Sequence, residues 1–162
     1  MTPLEVVVRA AVESDLEALS TLRATWTGEG APDPDFARRM AAWHASERDR
    51  RTTWLALSGD LVLGMAGLVE FRRMPRPGRA DSRWGYVSSV FVLERFRRRG
   101  VGARLLQALS EAADERGYAR LIVSPTAESI GFYRHGGFLV PASSADAETL
   151  LVRPGPAPSA AG

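Results

Sequence analysis

Arg97, Gly100 and Gly102 stand in the spacing R-x-x-G-x-G, with further arginines at Arg95, Arg98 and Arg99. Residues of these types in this order can hold phosphate. Guanidinium groups give charge-assisted, often bidentate hydrogen bonds to phosphate oxygens. Glycine has no Cβ to keep the backbone from an anion. An apolar run precedes the cluster and a segment of helical period follows it, so the glycines open a helix. A helix start offers unpaired N–H groups and the positive end of the peptide dipoles. Four cations there repel one another unless an anion visits. The P-loop pattern is excluded because the chain has no lysine, and the dinucleotide fingerprint fails because position 105 is leucine.

A second group of chemical interest is the stretch TAESIGFYRHGGF over residues 126–138, with Thr126, Ser129, Phe132 and Tyr133. Ser88 and Ser89 form a polar pair in the middle of the apolar run before the arginines. Carboxylates suited to accept a proton are sparse. No acid lies between positions 84 and 93, which leaves Glu70 as the nearest candidate by topology. His44 and His135 are the only histidines, and cysteine is absent, so a thiol nucleophile, a Cys-ligated zinc site and a disulfide framework are excluded. The net charge is only +2, and the high isoelectric point reflects the lack of groups titrating above neutrality. A nucleic-acid role for the arginine cluster lacks the interleaved aromatics that base stacking needs.

The elements that must position these residues follow from period and punctuation. A valine-rich strand is expected over 4–11. Ser14 and Glu17 fit a capping box for a helix running to about Trp26. The loop over 27–35 carries Glu29, Asp33 and Asp35. Phe36, Met40 and Trp43 mark one face of a second helix. Strands over 52–57 and 61–71 form a hairpin, an arginine-rich loop spans 72–83, and a fourth strand covers 84–93. Val101, Leu105, Leu109 and Ala113 give the third helix a buried stripe, and Gly117 is a natural stop. A short strand over 121–124, a fourth helix capped by Thr126, and two closing strands over 138–140 and 149–152 complete the order. Residues 1–153 read as one domain, and 154–162 as a flexible tail. The class is α/β, a mixed and mostly antiparallel sheet with helices on both faces.

The R-x-x-G-x-G loop, the strand before it and the F-Y-x-x-x-G-F of residues 132–138 together resemble the GNAT superfamily of N-acetyltransferases, and the element order extends that resemblance to nearly the whole chain. The resemblance implies a sheet splayed between its fourth and fifth strands, with acetyl-CoA as cosubstrate and no metal. Arg97, Arg98, Arg99, Gly100, Val101, Gly102 and Ala103 would hold the pyrophosphate. Val90, Phe91 and Val92 would bind the pantetheine arm through main-chain atoms. Thr126, Ser129 and Phe132 would line the cofactor, and Tyr133 would protonate the leaving thiolate as general acid. Glu70 is the candidate base. The acceptor would be a primary amine of a small molecule or peptide; the acidic loop over 27–35 suggests a cationic one, whereas the loop with Arg72, Arg73, Arg76, Arg79 and Arg83, if it forms the rim instead, favours an acceptor with a carboxylate or phosphate. A cytoplasmic protein, without nucleic-acid or membrane partners and with a homodimer as family habit, is the accompanying expectation. The rival readings are a CoA-binding protein of this fold without transfer activity and an arginine-rich nucleic-acid module.

Overall fold

The computed structural model describes residues 3–28, 33–141 and 150–157. Six strands form one sheet in chain order: β1 (Val7–Ala10), β2 (Arg51–Ser58), β3 (Leu61–Arg72), β4 (Arg83–Val92), β5 (Arg120–Val123) and β6 (Leu151–Pro154). All neighbours are antiparallel except β4 and β5, which run parallel. Helix α3 (Val101–Glu115) makes the crossover that a parallel pair requires.

The two sheet faces carry separate cores, as period-two alternation dictates. Leu55, Met65 and Phe91 point to one side and pack with Leu19 and Leu22 of helix α1 (Leu16–Thr27). Trp54, Ala66, Leu68 and Val87 point to the other and pack with Val101, Leu105, Leu109 and Ala113 of α3. Those four are the stripe expected from the sequence. The stop at Gly117 also holds. Its φ is +72°, and Tyr118 N–H reaches the Ala113 carbonyl at 3.0 Å while Gly117 N–H reaches that of Asp114 at 3.1 Å. This is a Schellman closure.

Three expectations change. Residues 13–15 form a short 3-10 turn before α1, and Asp15, not the Ser14–Glu17 pair, closes it by accepting Val12 N–H at 2.7 Å. Asp15 wins because it also pairs with Arg9 of β1 at 2.7 Å. The expected strand over 138–140 shrinks to one bridge, Leu139 to Val152, because Gly136 and Gly137 precede it and Pro141 supplies no N–H. The part of the last expected strand before Leu150 lies outside the described residues. Residues 154 and 155, expected in the tail, belong to the fold: Pro154 is in β6, and Gly155 N–H donates to the Ala119 carbonyl at 2.9 Å; the end of that expected tail lies outside the described residues. A side chain at 155 would meet the Tyr118 carbonyl at 2.2 Å, so close packing demands glycine there.

Candidate active site

The site begins where β4 and β5 part. Their ladder ends at Gly85–Leu121 and Tyr86–Ile122, after Ala119 N–H has met the Arg83 carbonyl at 2.8 Å, so among the described residues β4 beyond Tyr86 has no strand neighbour on that side. A bulge lies just beyond the fork. Between the pairs Gly67–Ser88 and Met65–Phe91, β4 carries Ser89 and Val90 against Ala66 alone. Ser89 takes φ +55°, a left-handed backbone uncommon for serine. A bulge bends its strand and re-aims the groups that follow. Leu93 N–H donates to Leu63 O at 2.9 Å, which fixes the alternation of the ladder. Phe91, two residues back, therefore turns its amide and carbonyl to β3, and Val90 and Val92 turn theirs to the open side. Phe91 thus does not share the main-chain role expected of it. Its ring stacks on Trp26 at 5.5 Å.

The loop at the end of β4 is an amide cradle. Among the described residues, the N–H groups of residues 98 to 103 donate to no protein acceptor, whereas Arg97 N–H donates to Glu94 and Arg104 N–H to Gly100. Arg98 and Gly100 have φ of +60° and +78°, and alternating backbone hand of this kind turns successive N–H groups inward as an anion nest. The arginines divide their labour. Arg97 Nε donates to the Val92 carbonyl at 2.9 Å and its guanidinium lies over the Phe91 ring, so this side chain braces the loop. Arg98 and Arg99 are exposed and remain available to an anion. Gly102 has a reason beyond anion approach: a Cβ there would stand 3.2 Å from the Phe132 ring. Phe132 and Ala103 line a groove of about 620 Å³ between α3 and helix α4 (Ile130–His135) that continues from the loop.

Thr126 and Ser129 are occupied with each other. Thr126 N–H and Oγ1 both donate to Ser129 Oγ, at 2.9 and 3.0 Å. The turn they close delays α4, so Ser129, not Thr126, is its N-cap. Tyr133 is 7% exposed and sits edge-on between Phe132 and Phe138. Burial, with the phenol of Tyr86 adding to it, pushes its hydroxyl up to about 12. Tyr86 is the last β4 residue paired with β5, so the two phenols mark the fork.

Glu70 does not reach this place. It pairs with Gly85, on the far side of the fork from the bulge. Its carboxylate accepts from Tyr118 at 2.9 Å, Arg72 at 3.0 Å and Arg83 at 3.2 Å. Burial raises its proton affinity, but these three partners outweigh burial and hold the group below the usual carboxylate range. Glu70 ties β3, β4 and the start of β5 together and is no general base.

A cleft of about 600 Å³ lies between α1, helix α2 (Phe36–Glu47) and the sheet. Ser88 and Ser89 reach its floor, and Phe36, Met40 and Trp43 of α2 face it. No residue of α2 is fully buried: the apolar face read from the sequence lines the cleft, and of it Met40 also packs, half-buried, against the core under α1. Among the described residues, Arg23, Arg39 and Arg51 complete the lining, and no carboxylate or imidazole belongs to it. The acidic loop gives it no negative charge: Asp33 pairs with Arg39 and Asp35 with Arg38, while Glu29 lies outside the described residues. Residue spacing could not reveal these three arginines, which come from three separate elements.

A family model described as the acetyltransferase (GNAT) family matches residues 16–138. Over 84 residues the chain is 38% identical to a glucosamine 6-phosphate N-acetyltransferase 1 of Oryza sativa subsp. japonica, a match spanning 52% of this chain and 48% of that relative. A putative acetyltransferase from Agrobacterium tumefaciens superposes with a TM-score of 0.71 at 20% identity, covering 85% of this chain and 96% of the other. A predicted acetyltransferase from Clostridium acetobutylicum, solved with acetyl-CoA, gives 0.69 at 17% identity, covering 86% and 94%. Likeness at such identities concerns the fold.

Proposed function

Since the chain belongs to the acetyltransferase (GNAT) family, we propose that it is an N-acetyltransferase that moves the acetyl group of acetyl-CoA to a primary amine of a small molecule or peptide. The observation that carries this reading is the run of unpaired amides from residue 98 to residue 103 beside the unpaired edge of β4. The amides would hold the pyrophosphate, and Val90 and Val92 would hold the pantetheine arm as a neighbouring strand would.

This places the thioester near the Ser89 bulge, with the acceptor entering from the α1–α2 cleft. A free alkylamine has a pKa of about 10, so its nitrogen must lose a proton before it attacks. With no carboxylate or imidazole in the cleft lining among the described residues, that proton passes to water. The neutral nitrogen adds to the carbonyl carbon while a β4 amide N–H polarises the carbonyl oxygen; the nitrogen, now cationic, gives up a second proton to water, and the carbon–sulfur bond breaks. Tyr133 gives its proton to the departing sulfur and regains one from solvent. Its raised proton affinity keeps it in the donor form throughout the neutral range.

The test offers acetyl-CoA with a panel of amines and follows free thiol. Acceptor-dependent thiol release with a matching N-acetyl product is expected. Tight CoA binding without release across the panel would instead favour a binding protein of this fold.

A further inference from the structure

We propose that the acceptor carries a phosphate or carboxylate as well as its amine, and that Arg23, with Arg39 and Arg51, holds this oxyanion at the rim of the α1–α2 cleft. The inference rests on that cleft being the acceptor site. Among the described residues, its charged lining consists of three guanidiniums from α1, α2 and β2. Arg39 is tied to Asp33, and Arg51 to Glu47 at 2.8 Å while lying over the Trp43 ring. These pairs fix the direction of two guanidiniums and leave some of their donors unused, since each has five. Arg23 lies over the Trp26 ring at 5.0 Å and has no carboxylate partner among the described residues. A cationic acceptor would meet repulsion here, whereas an oxyanion would gain charge-assisted hydrogen bonds.

The dimensions suit a short molecule. Thr53, Gly67 and Ser88 are direct neighbours across three strands, and Arg51 lies two residues along β2 from Thr53 on the same face. Strand spacing and rise then put Arg51 about 12 Å from Ser88, Cα to Cα. A long arginine side chain takes up about half of that distance. The remainder matches an amine separated from its anion by a few bonds. The amine would lie on the serine floor beside the bulge, where Ser88 Oγ is buried without a hydrogen-bond partner among the described residues.

Matched probes test this on the full chain saturated with CoA, by calorimetry: 2-aminoethyl phosphate against ethanolamine, and β-alanine against its amide. At least one anionic probe should bind tenfold or more tightly than its neutral partner. Arg23→Gln should erase most of that ratio while leaving the CoA titration and the thermal midpoint unchanged. Whichever pair shows the preference identifies phosphate or carboxylate. Equal affinities within both pairs, or a preference that survives in both Arg23→Gln and Arg51→Gln, overturns the proposal. Thiol release is read separately: its failure alongside selective anion binding would remove the transferase reading and leave the anion site standing.

Discussion

The two halves of the cleft system are built from different materials. The side proposed to hold phosphate is made of main chain: six amides, two left-handed residues and an open strand edge. The side proposed for the acceptor is made of side chains on three elements, with long arginines over apolar walls. A backbone site depends on loop shape and tolerates many side-chain changes that keep that shape. A side-chain site can be re-aimed by a single substitution. One frame can therefore keep its cosubstrate while its acceptor varies.

The sharpest way to break this contrast is Tyr133, a side chain placed on the main-chain half. General-acid catalysis contributes about 10²–10⁴-fold. Tyr133→Phe should lower turnover at least tenfold, with acetyl-CoA affinity unchanged because no phosphate contact is lost. The phenol stays protonated up to about pH 12, so the rate profile between pH 6 and about 9 should keep its shape and simply drop. Stopped-flow single turnovers across that range check it. Wild-type rates would assign the proton to water.

Gly102→Val probes the backbone half directly. A Cβ at this position already stands 3.2 Å from Phe132, so a branched side chain must move either that ring or the start of α3. CoA affinity should fall about tenfold, or 1.4 kcal/mol. Arg98→Ala, which leaves the nest in place, should cost only a few-fold. Calorimetric titration of both variants compares shape with side-chain charge, and a larger loss in Arg98→Ala would reverse the picture drawn here.

What the sequence made legible follows the same division. The amide cradle lies on contiguous residues, so its glycines and arginines announce it within one short window. The stripe Val101, Leu105, Leu109, Ala113 was readable because a helix repeats its own geometry. Ser88 and Ser89 signalled something unusual in mid-strand, but no residue type dictates that serine adopts φ +55°, and the bulge is decided by the pairing with β3. Arg23, Arg39 and Arg51 converge only after α1, α2 and β2 have folded together. Glu70 looked suitable as an acid near the right strands. Its register opposite Gly85 places it among Arg72, Arg83 and Tyr118 instead.

That placement gives a stability prediction for Glu70. Glu70→Gln should leave turnover unchanged and cost about 1–2 kcal/mol, the range of hydrogen bonds to a charged group discounted for the exposed arginines. The folded carboxyl lies below its ordinary range, so its contribution is complete above about pH 4.3 and fades as pH falls below that value. Denaturant melts at pH 7 and pH 3 should differ less in the variant than in the wild type. A loss of turnover in a fully folded variant would return Glu70 to the chemistry.

The smallest expected effect concerns how the side-chain half is held. Helix α1 carries Arg23 and forms one wall of the acceptor cleft, and its start is fixed by Asp15. That carboxylate pairs with Arg9 and accepts Val12 N–H, and together these bring it down to about 2. Its folded proton affinity is thus below the unfolded value near 3.9, so the stabilisation is complete above pH 4 and drains away as pH falls toward 2. Arg9 is partly exposed, which limits the ion pair, and losing a cap costs about 1 kcal/mol. Asp15→Asn should therefore lower stability at pH 7 by about that amount, and its melts should lack the wild-type decline between pH 4 and 2. Because β4 and α3 are untouched, CoA affinity should stay constant while the acceptor KM rises two- to threefold through a less firmly anchored α1. If instead CoA affinity fell with acceptor KM unchanged, the two halves would be mechanically coupled through β1, and the separation between a backbone site and a side-chain site would have to be abandoned.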